Sequence, residues 1–340
     1  MAGAGAVGTY LGGKLALSGQ EVFFLNRNKE YCRTLNTQGF TIIEKGAAVQ
    51  GKAAAFQTTQ SLFSAHENID LCLVTVKGFS TRPLLSELSP FLNQILHFCD
   101  LQNGIGNEEI LATFVKEEKI TSGSLTTACG MEIPGTVRAE NKGGAAFSSM
   151  DPNHSPQFVA DLFEKAGMRV KICRDWKSMK WSKLFLNIIG NGTSAVLEMT
   201  PQEIFSSRLG FKIERKGLME AVSVMEKCGI KPVSLPFQPL PLYIFGIKYL
   251  PEPILQNLFK KMAAKGRGEK LPSLYYDLLK GKKETEASFL YGPLIDKAKS
   301  FGIPVPVLQT VYDLLLNFNP DERQIYRKNP NALYERISKF

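Results

Sequence analysis

Apolar positions in the first half of the chain gather into strand-like stretches, nearly continuous at residues 70–76 and more mixed at 21–26, 95–99 and 120–130, with helix-compatible segments between them. A run such as DLCLVTV, residues 70–76, has almost no polar face to turn to water, the pattern of a parallel strand buried on both sides. Strands and helices alternating in this way predict an α/β unit with a parallel sheet. The segment 135–149, rich in Gly, predicts an antiparallel pair closing that unit, followed by a helix over 157–166 and a strand, RVKIC. A boundary near Asp175 then gives one domain over 1–174 and a second over 175–340.

Beyond that boundary the periodicity is helical. Residues 180–195, KWSKLFLNIIGNGTSA, read as one apolar helix carrying Lys183, Asn187 and Asn191 at steps of four. At 3.6 residues per turn such steps drift by only about 40° each, so the ammonium and the two amides are expected along one face. Further helices are predicted over 202–228, stopped by Gly229, and over 273–279, 285–300 and 307–318. Prolines at 232, 236, 239, 241, 251 and 253 predict an elongated connection over 232–270, with a lid or dimer contact as the sharper alternative. The tail 319–340 is polar and is expected to be partly loose.

Gly3, Ala4, Gly5, Ala6, Val7 and Gly8 open the chain as G-x-G-x-x-G, with a helix-compatible segment and a strand behind them. Such glycines make a tight turn and let a pyrophosphate reach the backbone at a helix N-terminus, where free N–H groups and the dipole favour anions. A buried first strand belongs ahead of the turn, yet only Met1 and Ala2 precede it. That strand therefore reads as truncated, through a shortened start or as a natural variant, and neighbouring strand edges are expected to lie unpaired. Past the second strand stands Arg27, where an NAD-specific chain places an acid. A guanidinium pairs with a 2′-phosphate in bidentate fashion, so NADP(H) is the expected cofactor. Lys77 and Asn103 stand just past the carboxyl ends of two successive strands, where open α/β sheets bind ligands.

Composition narrows the partners. With 44% hydrophobic and 21% charged residues over 340 positions, the chain is globular and long enough for two domains. Its net charge of +9 is scattered in small clusters, which suits small anionic ligands and argues against nucleic acid. Six cysteines without a C-x-x-C pair read as reduced core residues of a cytoplasmic protein, and three histidines without ligand spacing argue against a catalytic metal. No apolar run approaches the roughly 18 residues of a membrane helix.

Taken together, GAGAVG at 3–8, the strand ending in Lys77, QNGIG at 102–106, W-x-K-L-x-x-N at 181–187 and the pair Thr285-Glu286 resemble the ketopantoate reductase family, the 2-dehydropantoate 2-reductases. The resemblance runs in order over nearly the whole chain. It implies an N-terminal Rossmann domain, an all-α C-terminal domain, and NADPH-dependent reduction of a 2-keto acid to a 2-hydroxy acid, as in pantothenate biosynthesis. By the same resemblance Lys183 is the general acid, and Glu286 orients it or holds a substrate hydroxyl. Asn187, Asn191, Ser273 and Asn103 go to the substrate, while Asn103, the glycine turn, Arg27 and Lys77 go to the cofactor. Two departures bear on the substrate. Ala287-Ser288 and Tyr291-Gly292 stand where the family shows Ile-Asp and Asn-Gly, and one extra residue separates Ser273 from Glu286. Another 2-keto acid, or a non-catalytic NADPH-binding role, stays open, as does a homodimer.

Overall fold

The structure, a computed structural model, describes residues 1–264, 270–279, 286–317 and 319–339. The chain forms two compact units, Met1–Lys180 with Ser234–Gln238, and Trp181–Val233 with Pro239–Phe340. The division falls inside the helix Trp176–Ile188, a few residues past Asp175.

Eleven strands build the first unit: β1 (Phe23–Leu25), β2 (Phe40–Glu44), β3 (Ala47–Gly51), β4 (Ala54–Phe56), β5 (Ile69–Val74), β6 (Ile95–Asp100), β7 (Ile120–Leu125), β8 (Cys129–Ile133), β9 (Thr136–Ala139), β10 (Gly144–Ser149) and β11 (Arg169–Ile172). In the main sheet β5, β6 and β7 are parallel, β10 runs antiparallel to β7 and parallel to β11, and β1 pairs with β4. Residues 1–3 join its two pieces. Ala2 N–H donates to Leu73 O at 2.8 Å and Ala2 O accepts from Thr75 N–H at 2.9 Å. On the other side Leu25 N–H donates to Met1 O at 2.9 Å and Gly3 N–H to Leu25 O at 3.1 Å. Because alternate residues of an extended chain face opposite edges, these three satisfy both neighbours, and the edges expected to be unpaired are paired here.

Both faces of this sheet are covered. Phe24, Leu73 and Cys99 point into a layer with Leu11, Leu15 and Phe163, while their chain neighbours Leu25, Val74 and Phe98 point into another with Leu62 and Leu85. That alternation is the two-residue period of a strand buried on both sides.

The antiparallel pair expected over 135–149 does not form. β9 joins a separate sheet of order β3-β2-β9-β8, and β10 joins the main one. All six residues of β10 are buried, so its backbone needs partners on both edges, and β7 and β11 supply them.

Among the described residues the second unit has helices and no strand. The helix expected over 202–228 breaks at Ser207, whose Oγ accepts from Gly210 N–H and starts the helix Arg208–Lys227. The proline-rich stretch is more regular than expected, holding the helices Leu240–Tyr249 and Glu252–Ala264. Pro241 falls in the first turn of its helix, where a missing N–H is no loss. The tail is packed as well. Lys328 N–H donates to Leu197 O at 2.7 Å, Arg323 pairs with Glu198, and Leu333 and Ile337 of the helix Pro330–Ile337 are buried.

Candidate active site

The glycine turn leaves the sheet at the carboxyl end of Ala2. Gly3 has a φ of +105°, and the helix Ala6–Leu17 starts at once with Gly5 as its N-cap and no side chain capping it. A Cβ on Gly8 would lie 2.2 Å from Gly3 O, so turn and helix approach this closely only through glycine. A Cβ on Gly5 would meet nothing within 4 Å. An open backbone beside uncapped first-turn amides is what a pyrophosphate requires, and the residues present fit a dinucleotide.

Asn26 Nδ2 donates to Ala4 O at 3.1 Å, and its Oδ1 accepts from Asn28 N–H at 2.9 Å. Its amide is thus committed to holding the turn, which leaves the exposed Arg27 as the cation beside it. Arg27 follows β1, Gly3 follows Ala2, Lys77 follows β5 and Asn103 follows β6, so the sites predicted for cofactor stand beyond the carboxyl ends of successive parallel strands. At about 4.8 Å per strand the row spans roughly 14 Å. Chain order reverses at Ala2, the switch point at which open sheets hold ligands.

Sequence reasoning passed over Lys180. Its Nζ lies 2.8 Å from Asp100 Oδ2 and 2.9 Å from Glu108 Oε1, and donates to Gln102 O at 2.8 Å. Ser122 Oγ also donates to Glu108 Oε1, at 2.6 Å. Burial by itself would lower the Lys180 ammonium pKa, but the two carboxylates outweigh it and hold the group charged. Burial pushes Asp100 well above the usual carboxylate range against the pull of Lys180. The loop after β6 is fixed from several sides, since Gln102 Nε2 donates to Val76 O at 2.8 Å and Asn107 Nδ2 to Asn103 O at 3.3 Å. The available signal was a lysine between two large apolar residues, Met179 and Trp181, in a chain whose strand 95–100 ends in an acid.

In the second unit, Lys183 and Asn187 lie one turn apart on the half-exposed face of the helix Trp176–Ile188, whose Leu184, Phe185 and Ile188 are buried. Asn191 departs from the expected shared face. The helix stops at Ile188, Gly190 takes a φ of +61°, and Asn191 is the N-cap of a new helix, Gly192–Leu197. A left-handed glycine ends a helix because it alone adopts that conformation without Cβ strain. Asn191 returns through its side chain: Nδ2 donates to Asn187 O at 2.9 Å, and Oδ1 is buried with no partner among the described residues. Glu286 is half-buried at the N-cap of Ala287–Leu290. Tyr291, at the other end of that helix, accepts from Gly192 N–H at 2.8 Å and so ties it to the Asn191 turn. Ser273 opens the helix Ser273–Leu279, but its side chain lies outside the described residues, as does the whole of Thr285.

Residues 1–152 match the model of the family described as ketopantoate reductase PanE/ApbA, and residues 175–319 match the model of its C-terminal part. The chain is similar to a 2-dehydropantoate 2-reductase of Archaeoglobus fulgidus, 27% identical over 315 residues that cover 92% of this chain and 95% of that one. A solved 2-dehydropantoate 2-reductase from Geobacter metallireducens is similar with a TM-score of 0.77 and 23% identity, over 94% and 98% of the two chains. D-mandelate dehydrogenase, solved with NADH and anilino(oxo)acetate, is similar with a TM-score of 0.77 and 21% identity, over 95% and 98%. At these identities the two structures speak for the fold.

Proposed function

The chain belongs to the ketopantoate reductase PanE/ApbA family, and from that premise we propose that it reduces a 2-keto acid to a 2-hydroxy acid with NADPH. The observation that carries the reading is that Lys183 and Asn187 share one half-buried helix face, followed by a turn in which Asn191 Oδ1 is buried with no partner among the described residues. A buried acceptor left unpaired costs free energy that a substrate hydroxyl would recover.

Lys183 is the proton donor in this scheme. NADPH, when bound, supplies the hydride to the keto carbon. The ammonium stabilises the charge that develops on the keto oxygen and delivers its proton there. Glu286 orients that ammonium or holds a substrate hydroxyl, Asn187 and Asn191 position the substrate, and Ser273 contacts it. The glycine turn holds the pyrophosphate, Arg27 the 2′-phosphate, and Lys77 and Asn103 the remainder of the cofactor, with Asn103 also reaching the substrate.

A second reading within the same chemistry is favoured by Tyr291, which stands where the family resemblance places asparagine near the substrate. On that reading the substrate is a 2-keto acid other than ketopantoate, and the fold shared with D-mandelate dehydrogenase makes an aryl 2-keto acid the first to try. The deciding experiment follows NADPH oxidation at 340 nm with ketopantoate, branched and aryl 2-keto acids. Turnover of one of them with NADPH is expected; NADPH binding without turnover of any 2-keto acid would leave a non-catalytic binding protein.

Its six cysteines are free thiols, which suits a reducing cytoplasm. Leu242, Phe245 and Tyr249 form one exposed apolar stripe and Ile254 and Leu258 a second, on consecutive helices, a face suited to a second copy of the chain. Sedimentation as a monomer at all concentrations would remove the dimer.

A further inference from the structure

Asn191 is held in an unusual way. Its two flanking amides are both buried, and each is bound by a buried side chain from a distant part of the second unit. Gly190 N–H donates to Glu214 Oε1 at 2.6 Å, and Gly192 N–H donates to Tyr291 Oη at 2.8 Å. Glu214 is 4% exposed and Tyr291 2%, so neither is a surface residue that happens to reach the turn. Gly190 itself takes a left-handed conformation, and a Cβ on Gly192 would lie 2.3 Å from Tyr291 Oη. The residue after Asn191 must therefore be glycine for Tyr291 to come this close. Asn191 Nδ2 is used on Asn187 O, which leaves Oδ1 as a buried acceptor with no partner among the described residues.

We propose that Tyr291 and Glu214 are positioning residues, which grip the backbone on either side of Asn191 and so fix the direction in which its Oδ1 is offered to the substrate. The inference rests on the reading that Asn191 contacts the 2-keto acid. It also accounts for the departure at position 291. The tyrosine hydroxyl takes up the amide of Gly192, and the glycine at 192 makes room for it, so the two residues work as a matched pair.

Neither side chain shifts protons in this role. Tyr291 keeps its hydroxyl proton, because burial, with the nearby Glu214 carboxylate as the second cause, raises its pKa. Glu214 is itself raised by burial and needs only an acceptor oxygen toward Gly190.

The test is a set of variants assayed with NADPH and the 2-keto acid that the wild type reduces. Tyr291→Phe removes one oxygen and keeps the ring in its packing, so it is expected to fold. It should lower kcat/KM for the keto acid roughly tenfold, mainly through KM, with the Kd of NADPH unchanged. Asn191→Ala should lower kcat/KM by at least as much, and the double variant should be no worse than Asn191→Ala alone, because positioning has no effect once the positioned group is gone. Glu214→Gln keeps an acceptor oxygen and should stay near wild type, whereas Glu214→Leu should behave as Tyr291→Phe does. An impaired Asn191→Ala beside an unaffected Tyr291→Phe, or losses that multiply in the double variant, overturns the positioning role while Asn191 keeps its own. A fully active Asn191→Ala removes the substrate role of Asn191 and the inference with it.

Discussion

Lys180 Nζ lies 2.8 Å from Asp100 Oδ2, with both side chains 1% exposed, and the same ammonium holds Gln102 O, one residue before Asn103. Two carboxyls and one ammonium share a buried site, so the members depend on one another more than surface ions do. Lys180→Met should destabilise the protein by about 3–5 kcal/mol, since it leaves Asp100 and Glu108 buried together with no cation. Adding Asp100→Asn and Glu108→Gln should restore much of that loss by removing the stranded charge. Urea unfolding midpoints of the single and triple variants decide it, and a triple variant less stable than the single would reverse the argument.

Lys183 differs from Lys180 in its exposure. It is half-exposed on the same helix, in the second unit, and its proposed work is on the substrate. Lys183→Ala should reduce kcat by about 10²- to 10⁴-fold, the usual worth of a positioned general acid. The Kd of NADPH should change less than about twofold, since nothing assigned to the cofactor is removed. Retained turnover in single-turnover kinetics would take the acid role away from this residue.

Much of the first unit was legible because its central strands declare themselves. β5 and β6 are short apolar runs with no other plausible use, and the turn residues after them, Lys77 and Asn103, follow from where those runs end. The second sheet was missed for the opposite reason. In β3 four of the five residues are exposed, and β2 and β9 are short and mixed, so their pairing depends on partners distant in sequence rather than on local pattern. The break at Gly190 was hidden by good helical spacing on both sides of it. Glu214 and Tyr291, which fix that break, lie 24 and 99 residues from the amides they bind, beyond the reach of any local rule. The tail was misread because its few apolar residues, Leu333 and Ile337 among them, are spaced for one buried stripe in an otherwise charged segment.

Glu220 offers a test of stability against pH. Its two oxygens accept from Val307 N–H at 3.1 Å and Leu308 N–H at 3.0 Å, capping the helix Pro306–Leu316 from a buried position. Burial raises its carboxyl from the ordinary 4.5 to about 7, although the two amides pull the other way. A raised acid binds its proton more tightly in the folded state than in the unfolded. Its contribution is therefore complete below pH 4.5 and is lost as pH rises toward 7, by up to roughly 3 kcal/mol. Glu220→Gln, which cannot titrate, should flatten stability over that window and unfold at higher urea than the wild type at pH 7.5. Equal slopes in the two proteins would mean that Glu220 is not the group responsible.

Arg27 is the residue on which cofactor choice should turn. It is exposed at the carboxyl end of β1, and the neighbouring Asn26 amide is already bonded to Ala4 and Asn28. A charge-assisted contact of about 1.5–3 kcal/mol corresponds to roughly 10- to 100-fold in affinity. Arg27→Ala should therefore weaken NADPH by that factor and leave NADH, which has no 2′-phosphate, within about twofold. Raising the salt should narrow the difference between the two cofactors in the wild type, because an exposed ion pair is screened over a Debye length of about 8–10 Å. Fluorescence titration of both nucleotides against both proteins separates the outcomes, and an equal loss for NADPH and NADH would show that Arg27 does not read the phosphate.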